Sequence, residues 1–166
     1  LLLDETAKRY PGKPRFLYGH GLGGNLVLNY ALRRADQPLA GIVATGPWLD
    51  LAFAPPAWQQ TLVRVMDRLW PAFSTASNLE TAALSRNPEI APVYIADPLV
   101  HDRVSARLGL SLIESGEWAV AHAAEWRLPL LLMHGQADRL TSAPMSQRFA
   151  EKADGNCTFK LWDGFY

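Results

Sequence analysis

Short apolar runs bounded by turn residues alternate along this chain with stretches of helical spacing. Leu1-Leu2-Leu3-Asp4 through Tyr10 reads as the tail of an amphipathic helix, broken by Pro11-Gly12-Lys13-Pro14. Arg15-Phe16-Leu17-Tyr18 is too short for a helix and reads as a buried strand. A glycine-rich turn, Gly19 to Gly24, leads into a helix from Asn25 to Arg34, with basic residues in its last turn where the helix dipole favours them. Ala40-Gly41-Ile42-Val43-Ala44-Thr45 is a second buried strand, and strand–helix–strand with continuously apolar strands is the mark of a parallel unit. Leu130 to Met133 repeats the strand pattern, a helix follows from about Pro144 to Ala153, and Thr158 to Trp162 alternates as an edge strand does. Four parallel strands with intervening helices make an α/β core.

The middle of the chain, about Leu49 to Gly109, has no strand pattern. Pro55-Pro56 opens a helix carrying Trp58, Leu62, Val65, Met66 and Leu69 at helical spacing, Pro71 ends it, and short helices punctuated by Asn87-Pro88 and Asp97-Pro98 follow. This is a helical insertion between core strands. Ser111-Leu112-Ile113-Glu114 reads as a capping box that starts the helix returning to the core. The expected organisation is one domain in three stretches: core at 1–48, cap at 49–110, core again at 111–166.

Composition narrows the function. The chain has 166 residues, and 16 Lys+Arg balance 16 Asp+Glu, so no basic excess exists for nucleic acid or for a polybasic membrane patch. Hydrophobic residues make up 49%, enough for a solid core, but no run is long enough to span a bilayer. The single cysteine, Cys157, has no internal partner, which fits a reducing compartment. Four tryptophans, Trp48, Trp58, Trp70 and Trp118, fall between the core strands, where such loading serves either ordinary packing or an apolar cavity.

The glycine turn admits two readings. Gly19-His20-Gly21-Leu22-Gly23-Gly24 matches the dinucleotide fingerprint G-x-G-x-x-G, which predicts an acidic residue at the end of the next strand. That strand ends at Ala44-Thr45-Gly46, without an acid. The alternative is the nucleophile elbow G-x-S-x-G with its central position changed, where small neighbours allow a tight strand-to-helix turn. Two further segments fit the elbow. Met133-His134-Gly135-Gln136-Ala137-Asp138 puts an acid after a core strand, where the order Ser…Asp…His requires it, and Trp162-Asp163-Gly164-Phe165-Tyr166 ends the last strand.

With Tyr18 to Asn25, Ala96-Asp97-Pro98-Leu99-Val100, Met133 to Asp138 and Trp162 to Tyr166 taken together, the chain from Phe16 to Tyr166 resembles the monoacylglycerol lipase and lysophospholipase group of α/β-hydrolases. The resemblance implies a C-terminal portion of that fold, a parallel sheet flanked by helices with a helical cap. It implies a cytoplasmic or membrane-peripheral serine ester hydrolase without cofactor or metal, acting on a small lipid ester such as a monoacylglycerol or lysophospholipid, with peripheral membrane contact through the cap. Carried over by position, Gly21 occupies the nucleophile slot, Asp138 is the acid, and the Leu22 backbone N–H serves the oxyanion hole. Some of Trp58, Leu62, Met66 and Leu69 would line the acyl site. The family histidine is expected just beyond Tyr166, and the strands expected before the elbow strand carry the second oxyanion donor. Glycine cannot form an acyl-enzyme, so the chain as written is expected to be inactive, and an acyl-ligand-binding or interaction module is the competing reading. His20 and His134 are expected to be structural hydrogen-bonding residues, and Ser111 a helix cap.

Overall fold

The computed structural model describes residues 2–34, 36, 38–53, 56–77 and 80–166. Leu1 and Pro55, assigned above to the first helix and to the start of the cap helix, lie outside them. In chain order the elements are α1 (Leu2–Arg9), β1 (Phe16–His20), α2 (Leu22–Arg33), β2 (Gly41–Thr45), α3 (Ala57–Leu69), β3 (Ser74–Ala76), α4 (Ile90–Ala96), β4 (Arg103–Ser105), α5 (Ala106–Ala121), β5 (Leu130–Gly135), α6 (Ala143–Lys152) and β6 (Cys157–Trp162). Single 3-10 turns occupy Thr81–Ala83 and Ala123–Glu125.

The core is a parallel sheet of order β1-β2-β5-β6, with β1 and β6 at its edges. In this register Leu17, Ile42, Leu130 and Cys157 fall in one row, as do Gly19, Ala44, Leu132 and Phe159. These rows face Leu28 of α2, Ala119 and Val120 of α5 and Phe149 of α6, and form one buried cluster. The opposite face carries Phe16 and Tyr18, 61% and 66% exposed, so β1 is an exposed edge and not the buried strand its apolar run predicts, while Val43, Leu131 and Met133 on that face are half-buried.

The cap differs from expectation in two places. β3 and β4 pair antiparallel, Ser74 with Ser105 and Ala76 with Arg103, in a stretch where no strand was expected. Strands of three residues are too short to display an alternation. Ser111 does not start the returning helix. It lies exposed inside α5, whose N-cap is Ser105, accepting from Leu108 N at 3.2 Å. The spacing S-x-x-E that marks a capping box also places two exposed side chains on neighbouring turns of a helix surface, so the pattern alone does not locate the end. α3 is tied to α5 by an Asp67–Arg107 ion pair at 2.6 Å. The mid-chain tryptophans differ in setting, and Trp48 is half-buried with its backbone N–H on the Gly21 carbonyl. Trp58 and Trp70 are exposed, and Trp118 lies between the Arg33 guanidinium and the His122 ring.

Candidate active site

The six-residue glycine turn contracts to one residue. β1 runs through His20, α2 begins at Leu22, and Gly21 alone makes the reversal at φ 56°, ψ −118°. Its N–H donates to Thr45 O at 3.0 Å, and its carbonyl accepts from Asn25 N at 3.2 Å and Trp48 N at 2.9 Å. The close approach that makes the turn possible is at Gly19, where a Cβ would stand 2.1 Å from the Gly23 carbonyl oxygen. A Cβ at Gly21 would meet nothing within 4 Å. The strand-to-helix turn is therefore tight at Gly19 and open at Gly21, where a side chain would project into empty space. Leu22 is the first residue of α2, a position whose N–H has no acceptor within the helix.

Asp138 follows β5, and its carboxylate is held by four donors. Oδ1 accepts from Leu140 N at 2.8 Å and Thr141 N at 2.9 Å. Oδ2 accepts from Thr141 Oγ1 at 2.7 Å and lies 3.3 Å from His134 Nε2. Burial alone would raise the pKa of this acid, but the hydrogen bonds from His134, Thr141 and Leu140 outweigh it and hold the carboxyl well below the usual carboxylate range.

His134, 1% exposed, is bonded through both ring nitrogens. Nε2 faces the Thr141 carbonyl and the Asp138 carboxylate at 3.3 Å and the Thr141 hydroxyl at 3.2 Å; that hydroxyl gives its own proton to Asp138 Oδ2 at 2.7 Å, so none of the three donates to the ring and Nε2 carries the proton. In the neutral ring Nδ1 then accepts from Ser146 Oγ at 2.8 Å. Ser146–His134–Asp138 thus lines up serine, imidazole and carboxylate. The ring nitrogens are reversed relative to a hydrolytic triad, and Ser146 is 0% exposed, so no substrate carbonyl can reach its hydroxyl. The array fixes the acid loop to α6, in line with the structural role expected for His134. His20 is also held structurally, its Nδ1 2.9 Å from Thr45 Oγ1, which in turn lies 3.1 Å from the Tyr18 hydroxyl.

A cavity of about 420 Å³ opens beside Asp138, with His20, Ala83, Leu84 and Tyr166 among its walls. Gly46, at φ 47°, also lines it, and a Cβ there would stand 3.6 Å from both Asp138 Oδ2 and His20 Cε1, whereas neither Gly21 nor Leu22 is among its lining residues. The cap contributes through Ala83 and Leu84, which sequence reasoning missed because a single 3-10 turn has no periodicity to read. Trp58, Leu62 and Leu69 lie exposed on α3, Met66 is half-buried there, and none of the four borders this cavity. Among the described residues, no three His, Cys, Asp or Glu side chains are grouped to hold a metal ion.

The chain matches, over residues 1–166, the family described as serine aminopeptidase, S33. It belongs to that family of α/β-hydrolases. Within the family it is similar to proteins named as monoacylglycerol lipases. The crystal structure of the Paleococcus ferrophilus monoacylglycerol lipase superposes with a TM-score of 0.87 at 36% identity, covering 98% of this chain and 63% of that one. The monoacylglycerol lipase of Mycolicibacterium smegmatis is 30% identical over 167 residues, 99% of this hydrolase chain and 59% of the relative. Human monoglyceride lipase is 29% identical over 170 residues, 99% of this chain and 54% of the relative. This α/β-hydrolase chain therefore spans little more than half the length of these relatives.

Proposed function

We propose that this chain is the elbow, cap and acid portion of a lipase-type carboxylic ester hydrolase, and that as written it binds a small lipid ester without cleaving it. The observation that carries the reading is the backbone at Gly21. It has elbow dihedrals at the head of a helix, with room for a side chain and none present. In the parental chemistry a serine at position 21 attacks the ester carbonyl, a histidine takes its proton, Asp138 orients that histidine, and the Leu22 N–H stabilises the oxyanion. Two features support this assignment. Asp138 is ionised and rigidly held on the loop after β5. Tyr166 borders the same cavity, so a histidine supplied after it enters beside the acid. Replacing the nucleophile removes the acyl-enzyme route and typically costs about a million-fold in turnover.

The substrate class is a monoacylglycerol or lysophospholipid. Trp58, Leu62, Val65 and Leu69 form an exposed apolar stripe on α3, which we assign to peripheral contact with a lipid surface. No helix among the described residues is long and apolar enough to cross a membrane. A second reading, a non-catalytic acyl-ligand-binding or interaction module, is favoured by the same glycine, and the two divide on what a serine at position 21 does. The test on this chain is binding of a non-hydrolysable alkylglycerol ether together with exposure to a fluorophosphonate probe. Binding without labelling is expected. Stoichiometric labelling of any serine refutes the assignment of position 21. When the segment after Tyr166 is supplied, Gly21→Ser should gain both labelling and monoacylglycerol hydrolysis, whereas inertness in that chain favours the binding module.

A further inference from the structure

His20 is the last residue of β1, and its ring lines the cavity beside Asp138. The carboxyl ends of parallel strands are where ligands are held in open α/β sheets. The ring is bonded through one nitrogen only. Nδ1 lies 2.9 Å from Thr45 Oγ1, which lies 3.1 Å from the Tyr18 hydroxyl. The Thr45 hydroxyl has one proton to give, so the three groups form a chain with a direction. A phenolic hydroxyl is a stronger acid than an aliphatic one. Tyr18 therefore donates to Thr45, Thr45 donates to Nδ1, and in the neutral ring Nε2 carries the proton. Among the described residues His20 Nε2 has no hydrogen-bond partner. Other polar side chains of the lining are already engaged, His134 through both nitrogens and Asp138 through both oxygens. Trp162 and Tyr166 bring an indole N–H and a phenol to the same lining, and both can donate. The cavity thus offers hydrogen-bond donors to whatever enters it.

We propose that His20 is a ligand-binding residue of this cavity, presenting its Nε2–H to an acceptor oxygen of a neutral ligand, with Tyr18 and Thr45 as the positioning residues that fix its tautomer. The inference rests on the lipid-ester reading above and gives that ligand a named polar contact. Donors do not hold an ammonium group, and the ionised Asp138 carboxylate in the same lining opposes an anion, so a neutral oxygen is the group that fits. The bond at Nδ1 holds the ring before the ligand arrives, which lowers the entropy lost on binding. An Asn amide reaches the place of Nδ1 and a Gln amide the place of Nε2, so these two substitutions separate the bond to Thr45 from the contact with a ligand.

The test uses this chain with nitrogen-15 histidine and a 1-O-alkylglycerol ether added below its micellar concentration. The His20 signals are those missing from the spectrum of His20→Phe. In the free protein the neutral His20 ring should be protonated at Nε2 and bare at Nδ1, and the opposite tautomer overturns the inference. Thr45→Val, which withdraws the donor, should let the Nδ1–H form appear; an unchanged ring there removes the positioning role. On titration the Nε2 signal should shift with bound ether while the Nδ1 signal holds still, and an Nε2 signal indifferent to bound ether overturns the contact. His20→Phe should raise the ether's Kd about fivefold, as expected for one neutral hydrogen bond. His20→Gln should recover most of that loss and His20→Asn should not. A ring that acts only on the fold gives the reverse, with Asn retaining affinity through Thr45 and Gln losing it, and that outcome overturns the inference. Equal Kd values for the native protein and His20→Phe overturn it too and leave the lipid-ester reading standing. If the ether does not bind the native protein, the lipid-ester reading fails and this inference fails with it.

Discussion

Placing a side chain at Gly21 should destabilise this protein even though the space for it is empty. The residue sits at φ 56°, ψ −118°, a region that side-chain-bearing residues rarely adopt. It cannot relax cheaply, because its N–H and carbonyl are tied to Thr45, Asn25 and Trp48 at 2.9 to 3.2 Å. A Cβ would meet nothing within 4 Å, so the cost is torsional and contains no clash. Strain of this kind costs a non-glycine residue about 1–3 kcal/mol. Against it, glycine gives up about 0.5–1 kcal/mol through the greater freedom of its unfolded chain. The balance favours Gly21 by up to about 2 kcal/mol. Urea unfolding followed by tryptophan fluorescence, at low micromolar protein, measures it for Gly21, Gly21→Ser and Gly21→Ala. Both substitutions should lower the midpoint at unchanged m-value, and the alanine separates backbone strain from any bond made by the hydroxyl. Gly19→Ala should lose more than either, because its Cβ would stand 2.1 Å from a backbone oxygen. A Gly21→Ser protein as stable as the original, or more so, refutes the strain argument.

Three further outcomes are expected. Ser146 should resist a fluorophosphonate despite its bond to His134, because it is 0% exposed; mass spectrometry of the treated protein checks this, and an adduct there would overturn the exclusion of the buried array. Asp138 has a folded pKa below its unfolded value, so its contribution is present above about pH 4 and is lost as pH falls below that. Asp138→Asn should therefore lower stability at neutral pH and flatten the acid limb of a pH–stability curve, and an unchanged limb would contradict the hydrogen-bond account. The β1 edge, with Phe16 and Tyr18 exposed, should drive self-association that rises with concentration and is reduced in Phe16→Lys; light scattering from a monodisperse monomer at high concentration would count against it.

The parts of this structure that were legible in the sequence are those where one local signal dominates. Phe16, Ile42 and Leu130 lie in short apolar runs that cannot be amphipathic helices, and all became parallel strands. The strand-to-helix turn is legible because its glycines have separable physical reasons, close approach at Gly19 and backbone dihedral at Gly21. Asp138 was visible from its place after a strand. What escaped depends on contacts distant in sequence. Ser74 meets Ser105 across most of the cap, and neither three-residue strand carries a pattern of its own. The N-cap at Ser105 was missed because Ser111 and Glu114 satisfy the same spacing on a helix surface. Ala83 and Leu84 become a cavity wall only when the cap folds over the acid loop. The apolar stripe on α3, read as an acyl-site candidate, lies exposed on the described chain, because helical periodicity reports that a face is apolar without saying what it meets.

Fold and chemistry are separable at position 21 for a physical reason. Every interaction that builds the turn is made by backbone atoms of residue 21 or by neighbouring glycines, and none requires a side chain there. A serine hydroxyl would add strain while adding nothing to the turn, and with glycine at position 21 the chain superposes on a monoacylglycerol lipase at a TM-score of 0.87. The acid is different. Asp138 holds Leu140, Thr141 and His134 together, so the loop that presents it needs the carboxylate whether or not catalysis occurs. A side chain at position 21 is therefore dispensable to the fold, whereas the Asp138 carboxylate is not. Asp138→Asn should accordingly disturb the structure of the acid loop, whereas Gly21→Ser should leave the position of every element unchanged and shift only stability.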